Sequence, residues 1–249
     1  MYRIIFFIFI IFSLSDVYPD ENSSFIDKST IENSINDGFY TFAEEKCRNI
    51  IPNLSKNEKT DYQFLLIHSL YAQGKYDQAF ELISKMEKSG RLIYWKAKTL
   101  RSLGRDNDAL DILEGKQLDN DLAAERIYLK SSILYDFKKY DESMENLLNF
   151  KNIYPSHKKN FEVDYQLALN YLALNKIDDA ELIFQNLITL KSQKISNQAK
   201  IIFASILLDY RKDKIESKRL LDEVYNSETA QIPNKFISLK ILVNLFLKE

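Results

Sequence analysis

Neutral-pH acid–base chemistry in this 249-residue chain would rest on two histidines, His68 and His157, and thiol chemistry on one cysteine, Cys47. Proton transfer needs a group that titrates near the working pH and a second group that orients it. Neither histidine has such a partner at motif spacing. A metal centre would need converging His, Cys or carboxylate ligands, and the chain has no HExxH and no paired cysteine. A GxSxG elbow and a Gly-rich phosphate loop are missing too. The acidic runs Glu44-Glu45, residues 119–121 and Asp178-Asp179 are expected at turns or exposed helix starts, where carboxylates also suit the helix dipole. A lone cysteine cannot form an intrachain disulfide, so Cys47 is expected to be a small buried hydrophobe. The expectation is a protein without catalytic, metal or cofactor residues, not an enzyme.

The elements that carry these side chains are constrained by composition. The chain holds 45% hydrophobic residues but only 5 Gly and 4 Pro. At ordinary usage a chain of this length would carry about thirty Gly and Pro together, so sandwiches, barrels and Gly-looped sheets, which need many tight turns, are excluded in favour of an all-helical fold. With 34 basic and 36 acidic residues the net charge is −2, too small a field to attract nucleic acid. The basic pairs Lys138-Lys139 and Lys158-Lys159 are isolated and diluted by acids.

One segment recurs. Gly74-Lys75-Tyr76-Asp77-Gln78-Ala79, Lys138-Lys139-Tyr140-Asp141-Glu142-Ser143 and Asn175-Lys176-Ile177-Asp178-Asp179-Ala180 are versions of it, with weaker copies ending at Ala43, Ala109 and Ser217. These small anchors stand 36, 30, 34, 37 and 37 residues apart. Four residues after them stand Cys47, Ile83, Leu113, Leu147, Phe184 and Leu221, one helical turn along the same face. Nine before them, from the second copy on, stand Leu70, Leu100, Leu134, Tyr171 and Leu208; twelve before stand Ile67, Ala97, Ser131, Ala168 and Ser205. Five before them stand Gly38, Gly74, Gly104, Lys138, Asn175 and Lys212, the phase at which a helix must stop and the chain reverse, where tolerance of positive φ is worth most. The unit is a helix, a tight turn and an antiparallel helix, with small residues allowing close approach. One pair cannot bury its own apolar face, so neighbours must stack.

On these residues, over roughly residues 37–231, the chain resembles the tetratricopeptide-repeat proteins. Ala168, Tyr171, Ala180 and Phe184 match in the fifth copy and Pro155 stands at the inter-repeat proline of the fourth. The usual tryptophan is missing, Trp95 falling two residues late. The resemblance implies an all-α, right-handed α-solenoid of antiparallel helix pairs, about five to six repeats in residues 30–231, closed by a C-terminal capping helix in residues 232–249. Pro233 would open that helix, and Phe236, Leu239, Val243 and Phe246 form its apolar stripe.

In this family the first helix of each pair lines the concave side. The turn phase then places Phe64, Tyr94, Tyr128, Tyr165 and Ile202 in one row, fifteen residues before the anchors. Tyr71, Arg101, Tyr135, Leu172 and Asp209 form a second row, with His68, Lys98, Ser132, Leu169 and Ile206 between. Tyr and Arg anchor protein partners well, because they desolvate readily yet keep a hydrogen-bonding group. The candidate partner groove is Phe64, His68, Tyr71, Tyr94, Lys98, Arg101, Tyr128, Tyr135 and Tyr165. The same rings could instead pack between repeats. Lys98 and Arg101 alone do not reproduce the carboxylate clamp of chaperone-tail-binding relatives, so the expected partner is an extended or helical polypeptide segment.

The amino terminus has the three parts of a secretory signal: Arg3, an apolar run over residues 4–12, and small residues at Ser13 and Ser15. The run is about half of the ~20 residues that span a bilayer. Residues 1–15 are expected to be removed, residues 16–29 to be a loose mature terminus, and the protein to be exported, to a bacterial periplasm or the outer-membrane periphery, with no transmembrane span after cleavage. The expected role is a protein-binding scaffold. Two alternatives are an envelope-assembly component similar to the repeat lipoprotein of the outer-membrane β-barrel assembly machinery, and a peptidoglycan- or carbohydrate-binding solenoid.

Overall fold

The computed structural model describes residues 27–115, 122–190 and 193–247. The expected signal segment and most of the expected loose terminus lie outside these residues, as does the acidic run at 119–121. Among the described residues there are thirteen α-helices and no strand. The chain forms two compact units, Met1–Ala79 and Phe80–Glu249.

In the first unit α1 (Lys28–Asn36) packs on α2 (Tyr40–Ile50) and on α3 (Lys56–Ala72), and α2 packs on α3. Helix α1 begins two residues before the expected repeat start because Asp27 caps it, accepting from the Ser29 amide at 3.4 Å. A 3-10 turn, Ile51–Asn53, leads from α2 towards α3. Helix α4 (Tyr76–Ser84) crosses the boundary between the units.

The second unit continues through α5 (Gly90–Ser102), α6 (Asp106–Glu114), α7 (Ala123–Asp136), α8 (Tyr140–Ile153), α9 (Asn160–Ala173), α10 (Ile177–Ile188), α11 (Gln193–Ile206), α12 (Lys214–Asn226) and α13 (Ile232–Phe246). Each odd-numbered helix packs on the even-numbered one that follows it and on the next odd one, and each even helix packs on the odd helix after it. This is the contact pattern of stacked hairpins, in which every pair covers the apolar face of its neighbour.

The anchors explain the close approach. Ala43, Ala79, Ala109, Ser143, Ala180 and Ser217 are all fully buried, as are Cys47, Leu147, Phe184 and Leu221 one turn later. Burial pushes the Cys47 thiol up to about 12, the state of an inert packing residue.

All six turn-phase residues adopt positive φ: Gly38, Gly74 and Gly104 at 72° to 85°, and Lys138, Asn175 and Lys212 at 58° to 61°. In the first five turns the amide three residues past the last helical residue reaches back five positions, as in Lys75 to Leu70 and Lys139 to Leu134, both 2.9 Å. These are Schellman caps, which satisfy carbonyls that the helix end would leave open. The sixth departs: the Asp213 amide reaches Leu207, six positions back, at 3.0 Å. A π-helical turn, Leu207–Arg211, holds one extra residue there. The expected buried pair Ser205 and Leu208 is only half-buried, and Ala204 and Leu207 take its place.

Helix α13 corrects another expectation. It turns Asn234, Ser238 and Leu242 inward, with Leu242 in a cluster that includes Phe184, Phe203, Leu220 and Leu221. Phe236, Leu239, Val243 and Phe246 point outward. Apolar residues stand on two sides of this helix, and periodicity could not say which side would pack.

Candidate functional site

The expected groove residues fall in both units. In the first, Phe64 is only 4% exposed, a packed residue and no surface anchor, because α3 is buried at seven positions all round its axis. His68 and Tyr71 are half-buried, and Tyr71 lies 5.2 Å from the Tyr76 ring across the turn.

In the second unit six of the expected residues come from three neighbouring helices. Tyr94, Lys98 and Arg101 are on α5, Tyr128 and Tyr135 on α7, and Tyr165 on α9, and α7 packs on both of the others. Spacings of four, three and seven keep each set on one face of its helix. All six are half-buried.

Lys98 Nζ stands 5.6 Å from the Tyr94 ring centre and 4.8 Å from that of Trp95, within cation–π range. Burial lowers its pKa, and the like charge of Lys159 lowers it further. Lys159, at the start of α9, stands 5.3 Å from the Tyr128 ring. Arg101 pairs with Asp136 at the end of α7. Burial and then the Glu162 carboxylate push the Tyr128 phenol up, against the opposing field of Arg101. Tyr165 is raised by burial, then by Tyr135 and Tyr128, and its ring meets Phe184 edge-on at 5.8 Å. Tyr135 packs edge-on against Tyr140 at 5.4 Å. Tyr128 is thus central, with groups from α5 and α9 on either side. Its hydroxyl and those of Tyr135 and Tyr165 make no hydrogen bond among the described residues.

Sequence reasoning missed Trp95, Lys159 and Glu162. Trp95 is 7% exposed and forms the floor under Lys98. Glu162 lies three residues before Tyr165, an i,i+3 relation that the rows could have revealed. In the sixth pair the π turn removes Ile206 from the face, leaving it 2% exposed.

The remaining chemistry-bearing groups have structural duties. His157, without a partner by motif, has Glu125 at 3.6 Å and Phe150 edge-on at 5.3 Å, and its Nδ1 accepts from the Lys159 amide at 3.2 Å. Glu44, expected on a solvated face, is instead buried, accepting from Lys75 at 2.6 Å, Gln73 at 2.8 Å and Arg48 at 2.9 Å. Asp178 is exposed as expected and pairs with Arg211. Among the described residues no three His, Cys or carboxylate groups are placed to hold a metal ion, and no helix is long and apolar enough to cross a membrane.

No protein-family model and no curated protein matches the chain. Among solved structures, the C-terminal part of a TPR repeat-containing protein from Cytophaga hutchinsonii is similar at 16% identity and a TM-score of 0.56, over 78% of this chain and 76% of that one. TPR-like repeats of a kinesin light chain from Podosopora anserina match at 16% identity over 78% of this chain and 90% of that one, with a TM-score of 0.36 that carries no argument. The fold is TPR-like: helix pairs with small anchors in phase and positive-φ turns five residues before them.

Proposed function

We propose that this chain is a non-enzymatic protein-binding scaffold that holds an extended or helical polypeptide segment across the face built by α5, α7 and α9. One observation carries the reading: Tyr128, Tyr135 and Tyr165, half-buried and side by side, offer hydroxyls that no described residue uses. Half-buried phenols need little further ordering to bind, and each can supply a hydrogen bond that desolvation by a partner strengthens. Lys159 lies against the Tyr128 ring, Arg101 acts on Tyr128 from α5, and Lys98 lies against Tyr94, while Asp136 and Glu162 supply acceptors. Such alternation favours a peptide carrying both charges over a uniformly charged polymer. Export to a bacterial periplasm or the outer-membrane periphery belongs to the same proposal and is supported by the amino-terminal sequence pattern.

The test is the triple substitution Tyr94→Ala, Tyr128→Ala and Tyr165→Ala, compared with the parent for partner capture and helical circular dichroism. Capture should be lost with helicity kept. Unchanged capture would reject this face.

A further inference from the structure

Helix α13 is apolar on two sides: Ile241, Leu242 and Leu245 pack inward against the core, and a second stripe faces out. Ile232, Phe236, Phe246 and Leu247 are 57% to 82% exposed, and Leu239 and Val243 are 39% and 45% exposed, whereas two of the three residues it buries are Asn234 and Ser238. An ordinary amphipathic surface helix carries polar residues on its outward side. Ile232, Phe236, Leu239, Val243 and Phe246 are spaced four, three, four and three, the seam by which one helix packs along another.

We infer that α13 is a self-association helix, pairing antiparallel with α13 of a second copy about a two-fold axis. The stripe can cover itself: antiparallel apposition sets Phe236 of one copy against Phe246 of the other and Leu239 against Val243, large against large at the ends and smaller pairs at the centre. Half-buried Lys235 and exposed Lys240 stand at its edges, and Lys218 of α12 sets its Nζ 4.5 Å from the Phe246 ring centre. From ordinary side-chain areas the six outward side chains expose on the order of 700 Å² per copy, near the ~800 Å² per partner of a stable interface and above the patch a monomer usually shows. This inference concerns a different surface from the α5–α7–α9 face and does not depend on it.

Sedimentation equilibrium of the purified full chain from about 1 to about 100 μM should show a dimer. The combined substitution Phe236→Asp with Val243→Asp should weaken association at least about a hundredfold at unchanged helical circular dichroism, since both side chains are solvent-facing. The amino-terminal apolar run is common to both proteins, so any association it causes cancels in the comparison. A parent chain that stays monomeric throughout would overturn the inference, as would a variant that dimerises like the parent. Binding of a monomeric parent to anionic phospholipid vesicles, lost in the variant, would overturn it in favour of a bilayer.

Discussion

The Ser217 hydroxyl donates to the Ala204 carbonyl, thirteen residues back, at 2.9 Å; in the fourth pair Ser143 donates to Ser131, twelve back, at 2.8 Å. The same small anchor makes the same contact with the facing helix, so the packing is kept while the chain between gains a residue. The π turn Leu207–Arg211 holds the surplus.

Deleting the exposed Asp209 should therefore restore the twelve-residue spacing and cost less than about 1 kcal/mol, since the buried contacts on both sides survive. Deleting Leu172 at the matching place in α9 should cost more than about 3 kcal/mol, because it turns fully buried Ala168 away from Ala180. Denaturant melts of the two deletions measure the difference.

The turns should respond to backbone conformation alone. Lys138 and Lys212 hold positive φ at 61° and 58°, a region that costs an L-residue about 1 kcal/mol. Lys138→Gly and Lys212→Gly should each stabilise by about 0.5–1 kcal/mol, and Asn175→Gly by a few tenths, asparagine tolerating this region better. Gly74→Ala should cost about 1 kcal/mol, although an added Cβ there meets nothing within 4 Å. Thermal melts of the four variants provide the check.

Glu44 should give the first unit an acid-sensitive element. Burial alone would raise its pKa, but hydrogen bonds from Lys75, Arg48 and Gln73 outweigh it and hold the carboxyl below its ordinary range. A carboxyl whose folded pKa lies below its unfolded value stabilises fully above the unfolded value, and that contribution is lost as pH falls through the folded one. Glu44→Gln should cost about 2 kcal/mol at neutral pH and much less at about pH 3, where the parent has lost the same charge. Denaturant midpoints at the two pH values decide it.

The turn phase was legible because one backbone requirement acts at six places, and glycine fills three of them. The anchors were legible because close helix approach admits few side chains. The π turn left no residue signature, since inserting one position shifts a hydrogen-bond ladder without requiring a special side chain. Glu44 sits beside Glu45 in an acidic pair, and only the fold brings Lys75 and Gln73 to it. The orientation of α13 was hidden because both of its sides are apolar enough to bury. In the candidate site the tyrosine rows followed from phase, whereas Phe64 was misplaced because a periodic row gives direction along a helix and not what covers it.

The binding claim is tested most directly by photocrosslinking in the native cell. A photoreactive phenylalanine analogue at Tyr128, at the centre of the α5–α7–α9 face, should trap a discrete polypeptide, and one at exposed Glu145 on α8 should not. No adduct from position 128, or the same adducts from both positions, would contradict the proposed binding face.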